Sequence, residues 1–224
     1  GHGKTTLAIQ LALSMLRANP DLHALMASCE MTEPELSLKA LCCLDGRDFI
    51  SEVRSVGPAA LINVQMAVAQ HAPILERLHI KRTRSMADIT GEAHAIGRKH
   101  RLGCIVVDYV QAMVAMGSEA ENRAIEVGRV SRACKELSMD LDCVVLAAAQ
   151  LNRGAAKDGT RPMLSHLKDS SSIEHDADGC MLLHRPDHES DEAAAQLIIA
   201  KSRWGEQSTL NLAPDLAHHR FGWS

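Results

Sequence analysis

The sequence predicts an α/β fold with a mostly parallel central sheet, helices on both of its faces, and an antiparallel extension at its C-terminal end. Three observations lead there. Helical and strand patterns alternate along most of the chain, the order that builds parallel sheets through crossover helices. The run Cys104-Ile105-Val106-Val107 is apolar throughout and closed by Asp108, as suits a strand covered on both faces. A glycine-rich turn at the start runs directly into an amphipathic helix.

Taken in order, Leu7, Ala8, Leu11, Ala12 and Met15 line one face of the first helix, which Asn19-Pro20-Asp21 ends. A short apolar strand over 24–28 leads to Glu30 and a helix over 33–44. A helix over 58–71 and a strand over 78–82 come next. Ser85 can cap a helix running to residue 100. Gly103 then opens the apolar strand that ends in Asp108. The clearest helix covers 119–140, where Val127, Val130, Cys134, Leu137 and Leu141 recur at alternating helical spacings. A buried strand over 143–148 ends at Gln150. Residues 152–162 have the Gly, Lys, Asp and Arg content of a mobile loop. Strands over 180–184 and 196–202 flank the polar segment 187–192, and a final pair falls near 209–212 and 219–221. With no internal repeat and no second hydrophobic core in the pattern, residues 1–224 read as one domain.

Bulk properties bound the function. A chain of 224 residues with 46% hydrophobic content can bury one sizeable core. Its first residue is Gly1, not Met, and lies inside a motif, so the chain reads as a domain truncated at its N-terminus. No apolar run approaches the roughly 18 residues of a membrane span, which argues for a soluble intracellular protein. The seven cysteines show no C-x-x-C spacing and read as small buried hydrophobes. His175, Asp176, Asp178, Cys180 and His184 read as a strand flank in preference to a metal cage. The formal charge of −4 does not advertise nucleic-acid binding, although basic residues collect at 79–84 and 98–101. With two Trp, two Phe and one Tyr there is no aromatic platform for stacking bases, so any DNA contact must be mostly to the backbone.

Gly1-His2-Gly3-Lys4-Thr5-Thr6 is the second half of a Walker A phosphate-binding loop. Its glycines let backbone N–H groups converge on phosphate oxygens, and the helix N-terminus adds partial positive charge. Lys4 would reach the β- and γ-phosphates of ATP, and the Thr5 hydroxyl would ligate Mg²⁺. Asp108, at the end of the apolar strand, stands where a Walker B acid belongs and could hold the same ion. Ligands of parallel α/β sheets gather at the C-terminal strand edge, so Glu30, Asp108 and Gln150 should converge beside the loop. Glu30 suits a general base for an attacking water, and Gln150 a γ-phosphate sensor. By position alone, each is equally an exposed polar residue after a strand.

Ser28-Cys29-Glu30-Met31, Val107-Asp108-Tyr109-Val110-Gln111, Ala149-Gln150-Leu151-Asn152-Arg153 and Ser172-Ile173-Glu174-His175-Asp176-Ala177-Asp178 together resemble the DnaB-type replicative helicases. They fall in that family's order and cover nearly the whole chain as its C-terminal RecA-like, P-loop NTPase motor domain. The resemblance implies Glu30 as the catalytic glutamate, Asp108 as the Walker B acid and Gln150 as the phosphate sensor. Lys201-Ser202-Arg203 is similar to the family's K-x-R element, which implies that Arg203 is an arginine finger and Lys201 a second γ-phosphate contact, both acting on a neighbouring subunit's ATP. The segment from Leu167 to Ser172 resembles the central DNA-binding loop, with Lys168 for Arg, Asp169 for Glu and Ser171 for Gly. Lysine keeps the charge but loses the bidentate fork. Ala200 replaces a usual Gly, and Trp204 stands where a small polar residue is common.

The resemblance therefore implies ATP hydrolysis coupled to 5′→3′ translocation on single-stranded DNA, in a homo-oligomeric ring, most simply a hexamer, at the replication fork in the cytoplasm of a bacterial or phage-infected cell. Primase and a helicase loader are the implied partners, and no membrane is. Two other readings stay open: a recombinase-like or signalling ATPase that does not unwind, and a non-catalytic remnant acting as an interaction module.

Overall fold

The computed structural model describes residues 3–113, 120–151, 161–167, 171–187 and 194–223. The first half alternates helices and strands: α1 (Lys4–Ala18), β1 (Leu22–Ser28), α2 (Glu33–Asp45), α3 (Phe49–Val56), α4 (Leu61–Leu75), β2 (Leu78–Arg82), α5 (Met86–Gly97) and β3 (Arg101–Asp108). Then follow α6 (Ala120–Leu141), β4 (Val144–Ala147), α7 (Ser171–Asp176), β5 (Gly179–His184), β6 (Ala195–Ser202), β7 (Ser208–Asp215) and β8 (Arg220–Trp223). Strands β1 to β4 form one parallel sheet in the order β2-β1-β3-β4, and β5 to β8 form an antiparallel sheet in sequence order.

Two cores sandwich the parallel sheet because side chains alternate along each strand. On one face Leu25 and Ala27 of β1 and Ile105 and Val107 of β3 meet Ile89, Ala93 and Ile96 of α5 and Val127, Val130, Cys134 and Leu137 of α6. On the other, Ala24, Met26, Cys104 and Val106 meet Ile9, Leu13 and Leu16 of α1 and Leu36, Ala40 and Leu44 of α2. The periodic positions of 119–140 are thus the buried stripe of α6. A smaller cluster joins Leu7 of α1 to Ala195, Leu197, Leu212 and Phe221 of the antiparallel sheet. The Gln10 amide fixes that junction, donating to the Phe221 carbonyl at 2.8 Å and accepting from the Phe221 N–H at 2.7 Å.

Local signals explain most boundaries. Ser85 caps α5 through the Asp88 N–H, and Thr32 and Glu35 close a reciprocal capping box at α2. Several expectations need correction. The helix expected over 58–71 is a 3-10 turn, Gly57–Ala60, followed by α4, which runs to Leu75. Helix α3 has no counterpart among the expected elements, although Phe49, Ile50, Val53 and Val56 recur at helical spacing; its stripe is short and Phe49 is its single buried residue. Helix α5 stops at Gly97 instead of residue 100. Gly103 lies inside β3 and does not open it; a Cβ there would sit 2.7 Å from Leu22 Cδ1 and 2.9 Å from Met15 Sδ, so glycine lets α1 and β1 close on the strand. Strand β4 is more open than expected. Among the described residues it pairs on one side only, with β3, and Val144 is 57% exposed.

Six cysteines are buried, Cys43 is partly so, and all seven are free thiols. Burial pushes the thiols of Cys104 and Cys134 up to about 12 and those of Cys43 and Cys143 up to about 11. They act as small hydrophobes, as their sequence context suggested.

Candidate active site

The site follows from strand register. Ser28 pairs with both Arg82 and Asp108, so β1, β2 and β3 end level at one sheet edge, and α1 begins at that edge. Gly3 precedes α1 in the left-handed conformation, with φ of 92°, and no side chain caps the helix. The first-turn N–H groups and the positive end of a 15-residue helix dipole are thereby presented to an anion. Gly3 is also tightly packed: a Cβ would lie 2.7 Å from Phe221 Cζ.

The Thr5 hydroxyl donates to Asp108 Oδ2 at 2.9 Å, joining residues 103 positions apart. Asp108 is 4% exposed. Burial raises its pKa above the ordinary carboxylate value and Glu30 adds to this, while the Thr5 hydrogen bond and the charges of Lys4 and Lys39 pull it down. A desolvated carboxylate beside a hydroxyl, with positive charge nearby, is a hard-oxygen donor set that fits Mg²⁺. Thr6, expected near the nucleotide, is buried at 6% exposure.

The ends of β1 and β3 are sewn together around this pair. Cys29 donates its N–H and its thiol to the Asp108 carbonyl, at 3.1 and 3.3 Å. Glu30, next in sequence, is exposed at the mouth of the site, with its carboxylate near the Tyr109 phenol. Burial first, and Glu30 second, raise the Tyr109 pKa. Gln150 is exposed as well, but its backbone is gripped by a buried side chain. Gln111, 2% exposed, donates Nε2 to the Gln150 carbonyl at 3.3 Å and accepts the Gln150 N–H on Oε1 at 3.0 Å. Arg123 Nη2 reaches the Gln111 carbonyl at 3.5 Å.

Glu30, Asp108 and Gln150 are therefore brought to one edge beside Lys4 and Thr5, as expected. Lys201 and Arg203 have other partners. Lys201 Nζ donates to the Glu174 carbonyl, and Arg203 Nη1 pairs with Asp178 Oδ1 at 2.7 Å. The two cations, with Glu174 and His175, line an open groove of about 470 Å³. Gly1, Lys168 and Asp169 lie outside the described residues, and Ser171 begins α7 with its side chain outside them.

Tyr109, Gln111 and Asp178 were not singled out for any role by sequence. The signal for the first two was present in Asp108-Tyr109-Val110-Gln111, where two polar side chains follow a buried strand at once. What they touch depends on how β1 and β4 end, which no local pattern states.

The family model for the DnaB-like helicase C-terminal domain matches residues 1–222. The chain is 30% identical to the replicative DNA helicase DnaB of Geobacillus stearothermophilus over 228 aligned positions, covering 98% of this chain and 49% of that protein. It is 40% identical to DnaB of Mycobacterium leprae over 142 positions, 61% of this chain and 23% of that one. The chain spans about half the length of the curated relatives that it matches along its full extent. Among solved structures, one described as an ATPase domain superposes with a TM-score of 0.83 at 25% identity, covering all of this chain and 81% of that one. A DnaB-like replicative helicase, solved to describe its interactions with primase, superposes with a TM-score of 0.80 at 25% identity over 99% of this chain and 54% of that chain.

Proposed function

The chain belongs to the DnaB-like helicase C-terminal domain family, and on that premise we propose that it is an ATP-hydrolysing motor that translocates 5′→3′ on single-stranded DNA and separates the duplex ahead of it. The observation that carries this reading is the 2.9 Å hydrogen bond from Thr5 to Asp108. It sets the phosphate-loop hydroxyl and the buried acid around one point, with Glu30 and Gln150 at the same sheet edge.

Each residue then has a task. Gly1, Gly3 and Thr6 belong to the loop around the phosphates, and Lys4 offsets charge on the β- and γ-phosphates. Thr5 and Asp108 would hold Mg²⁺, which when bound draws charge from the phosphate oxygens as the terminal phosphoryl group leaves. Glu30, beside Tyr109, holds and deprotonates the attacking water. Gln150, its backbone fixed by Gln111, touches the γ-phosphate through its exposed amide.

The exposure of Glu30 and Gln150 leaves one wall of the site open, which suits a site completed by another subunit. Lys201 and Arg203, at the mouth of their groove, are the cations that would complete it from a neighbour, where they stabilise the charge of phosphoryl transfer. Where its rotation closes, such a head-to-tail contact generates a ring, most simply a hexamer. Lys168, Asp169 and Ser171 would meet the DNA backbone inside it. The relative whose structure describes primase contacts makes primase the first candidate partner, with a helicase loader second. The setting is the cytoplasm, and among the described residues no helix is long and apolar enough to cross a membrane.

The test is ATP turnover by the full chain with and without single-stranded DNA, run beside strand displacement from a forked duplex. Glu30→Gln should cut turnover by about 10²-fold or more while nucleotide still binds. DNA-stimulated turnover without displacement would instead point to a RecA-like ATPase that does not unwind. Unchanged turnover in Glu30→Gln would remove the catalytic reading.

A further inference from the structure

Beyond the residues with family-implied roles, one side chain organises the trans-acting pair. We propose that Asp178 is a positioning residue for Arg203: it holds the guanidinium by one arm, outward from the end of β6, so that the remaining donors meet a neighbouring subunit's nucleotide. This inference rests on the reading of Arg203 as a finger acting in trans.

Four observations carry it. Gly179 and Ser202 are the last paired residues of β5 and β6, so Asp178 and Arg203 emerge side by side where the ladder ends. Arg203 is then held twice by the same residue, through its backbone N–H on the Asp178 carbonyl at 2.9 Å and through Nη1 on Oδ1 at 2.7 Å. The other oxygen, Oδ2, is taken by Lys135 from the middle of α6. With Lys135 on Oδ2, Asp178 holds Arg203 by one arm on Oδ1 instead of bidentately, and the Arg203 side chain stays 53% exposed. The arrangement orients the guanidinium without sequestering it.

Charge points the same way. Two cations around one carboxylate leave the trio with a net positive charge, so the pair with Asp178 does not cancel the field that Arg203 presents. Lys201 adds to that field two residues earlier on β6, its ammonium fixed on the Glu174 carbonyl. Lys135 sits on the helix against which α7 packs: a Cβ on Gly128 of α6 would meet Ser172 Oγ at 2.9 Å. The support for Arg203 therefore runs through α6 to the helix that follows residues 168–170 in the chain.

The experiment compares Asp178→Ala, Asp178→Asn and Arg203→Ala in the assembled full chain, measuring ATP turnover and KM separately. Displacing a charge-stabilising group by about 1 Å costs on the order of 10²-fold in rate. Asp178→Ala should therefore lower kcat by about 10- to 100-fold, with KM for ATP changed by less than about threefold, because ground-state binding is made by the other subunit. Asp178→Asn keeps the shape and a single acceptor and should fall between wild type and Asp178→Ala.

Mixing separates positioning from a folding defect. Subunits carrying Asp178→Ala keep an intact Glu30, and subunits carrying Glu30→Gln keep an intact Asp178–Arg203 pair. Mixed assemblies should turn over ATP faster than either variant alone. Wild-type kcat in Asp178→Ala, or no gain on mixing while Arg203→Ala does complement Glu30→Gln, overturns the positioning role. Wild-type turnover in Arg203→Ala overturns the trans reading itself, which is a different failure.

Discussion

Replacing Gln111 tests whether the site depends on a buried side chain that clamps a neighbouring backbone. Gln111 makes two hydrogen bonds to Gln150 and is 2% exposed. A net hydrogen bond is worth about 1 kcal/mol, so Gln111→Leu, similar in size and apolar, should cost about 2 kcal/mol. At a urea m-value of about 2 kcal/mol per M, the unfolding midpoint drops by about 1 M. Gln111→Glu gives a sharper outcome. It can still accept the Gln150 N–H, but it sets a carboxylate against the Gln150 carbonyl in a buried position, adding about 1–3 kcal/mol to the defect near neutral pH. Protonation would return the missing donor. The new carboxyl therefore has a folded-state pKa above its unfolded value of about 4.3, and its deficit relative to wild type is constant above that folded pKa and shrinks as pH falls through it toward the unfolded value. Urea unfolding at pH 7.5, 6.5 and 5.5, with ATP turnover at pH 7.5, measures both effects. A Gln111→Leu midpoint within experimental error of wild type, or a Gln111→Glu deficit that does not shrink on acidification, refutes the clamp.

Other expectations concern positions away from the clamp. His23, His79 and His100 meet near the opposite edge of the parallel sheet, with His23 Nδ1 3.0 Å from His79 Nε2 and the His23 and His100 rings 3.9 Å apart. Burial first, then His100, His79 and Arg77, lower the His23 pKa; burial and His100 lower that of His79, with Glu92 opposing. Both folded values lie below 6.5, so this stability is complete above that pH and is lost as pH falls through the folded values. His79→Asn should flatten the fall in unfolding midpoint between pH 7.5 and 5.5, and an unchanged slope would count against the stack. Gly103→Ala pushes a methyl into Leu22 and Met15 and should cost about 1–3 kcal/mol by thermal or urea unfolding. Lys168→Ala should weaken single-stranded DNA binding and reduce its salt slope by about 0.7, the share of one phosphate contact; an identical slope would place Lys168 away from the backbone.

Part of this architecture is written locally and part is not. The strand Cys104–Asp108 is legible because burial on both faces demands a continuous apolar run, and α6 because its stripe must recur at helical spacing to reach the sheet. Helix α3 carries a trace that is easily passed over: Phe49, Ile50, Val53 and Val56 recur at helical spacing, but over eight residues the stripe is short and buries Phe49 alone. Strand β4 has the composition of a buried strand, but pairing on one side leaves Val144 exposed. Burial of a strand depends on its neighbours, which its own residues do not encode.

For the site, the sequence by itself determined the chemical types: a Gly-Lys-Thr turn entering a helix, acids following apolar strands, and the Lys201-Ser202-Arg203 element. Those choices are forced by what phosphate and a hard cation require of nearby atoms. Only the tertiary structure decided which of them share a point in space. Thr5 meets Asp108 because parallel register levels the ends of β1 and β3, the Gln150 backbone is fixed because Gln111 is buried beneath it, and Arg203 pairs with Asp178, whose other oxygen is taken by Lys135 of α6. Hydrogen bonds over such sequence separations are set by packing, and packing is a property of the whole chain.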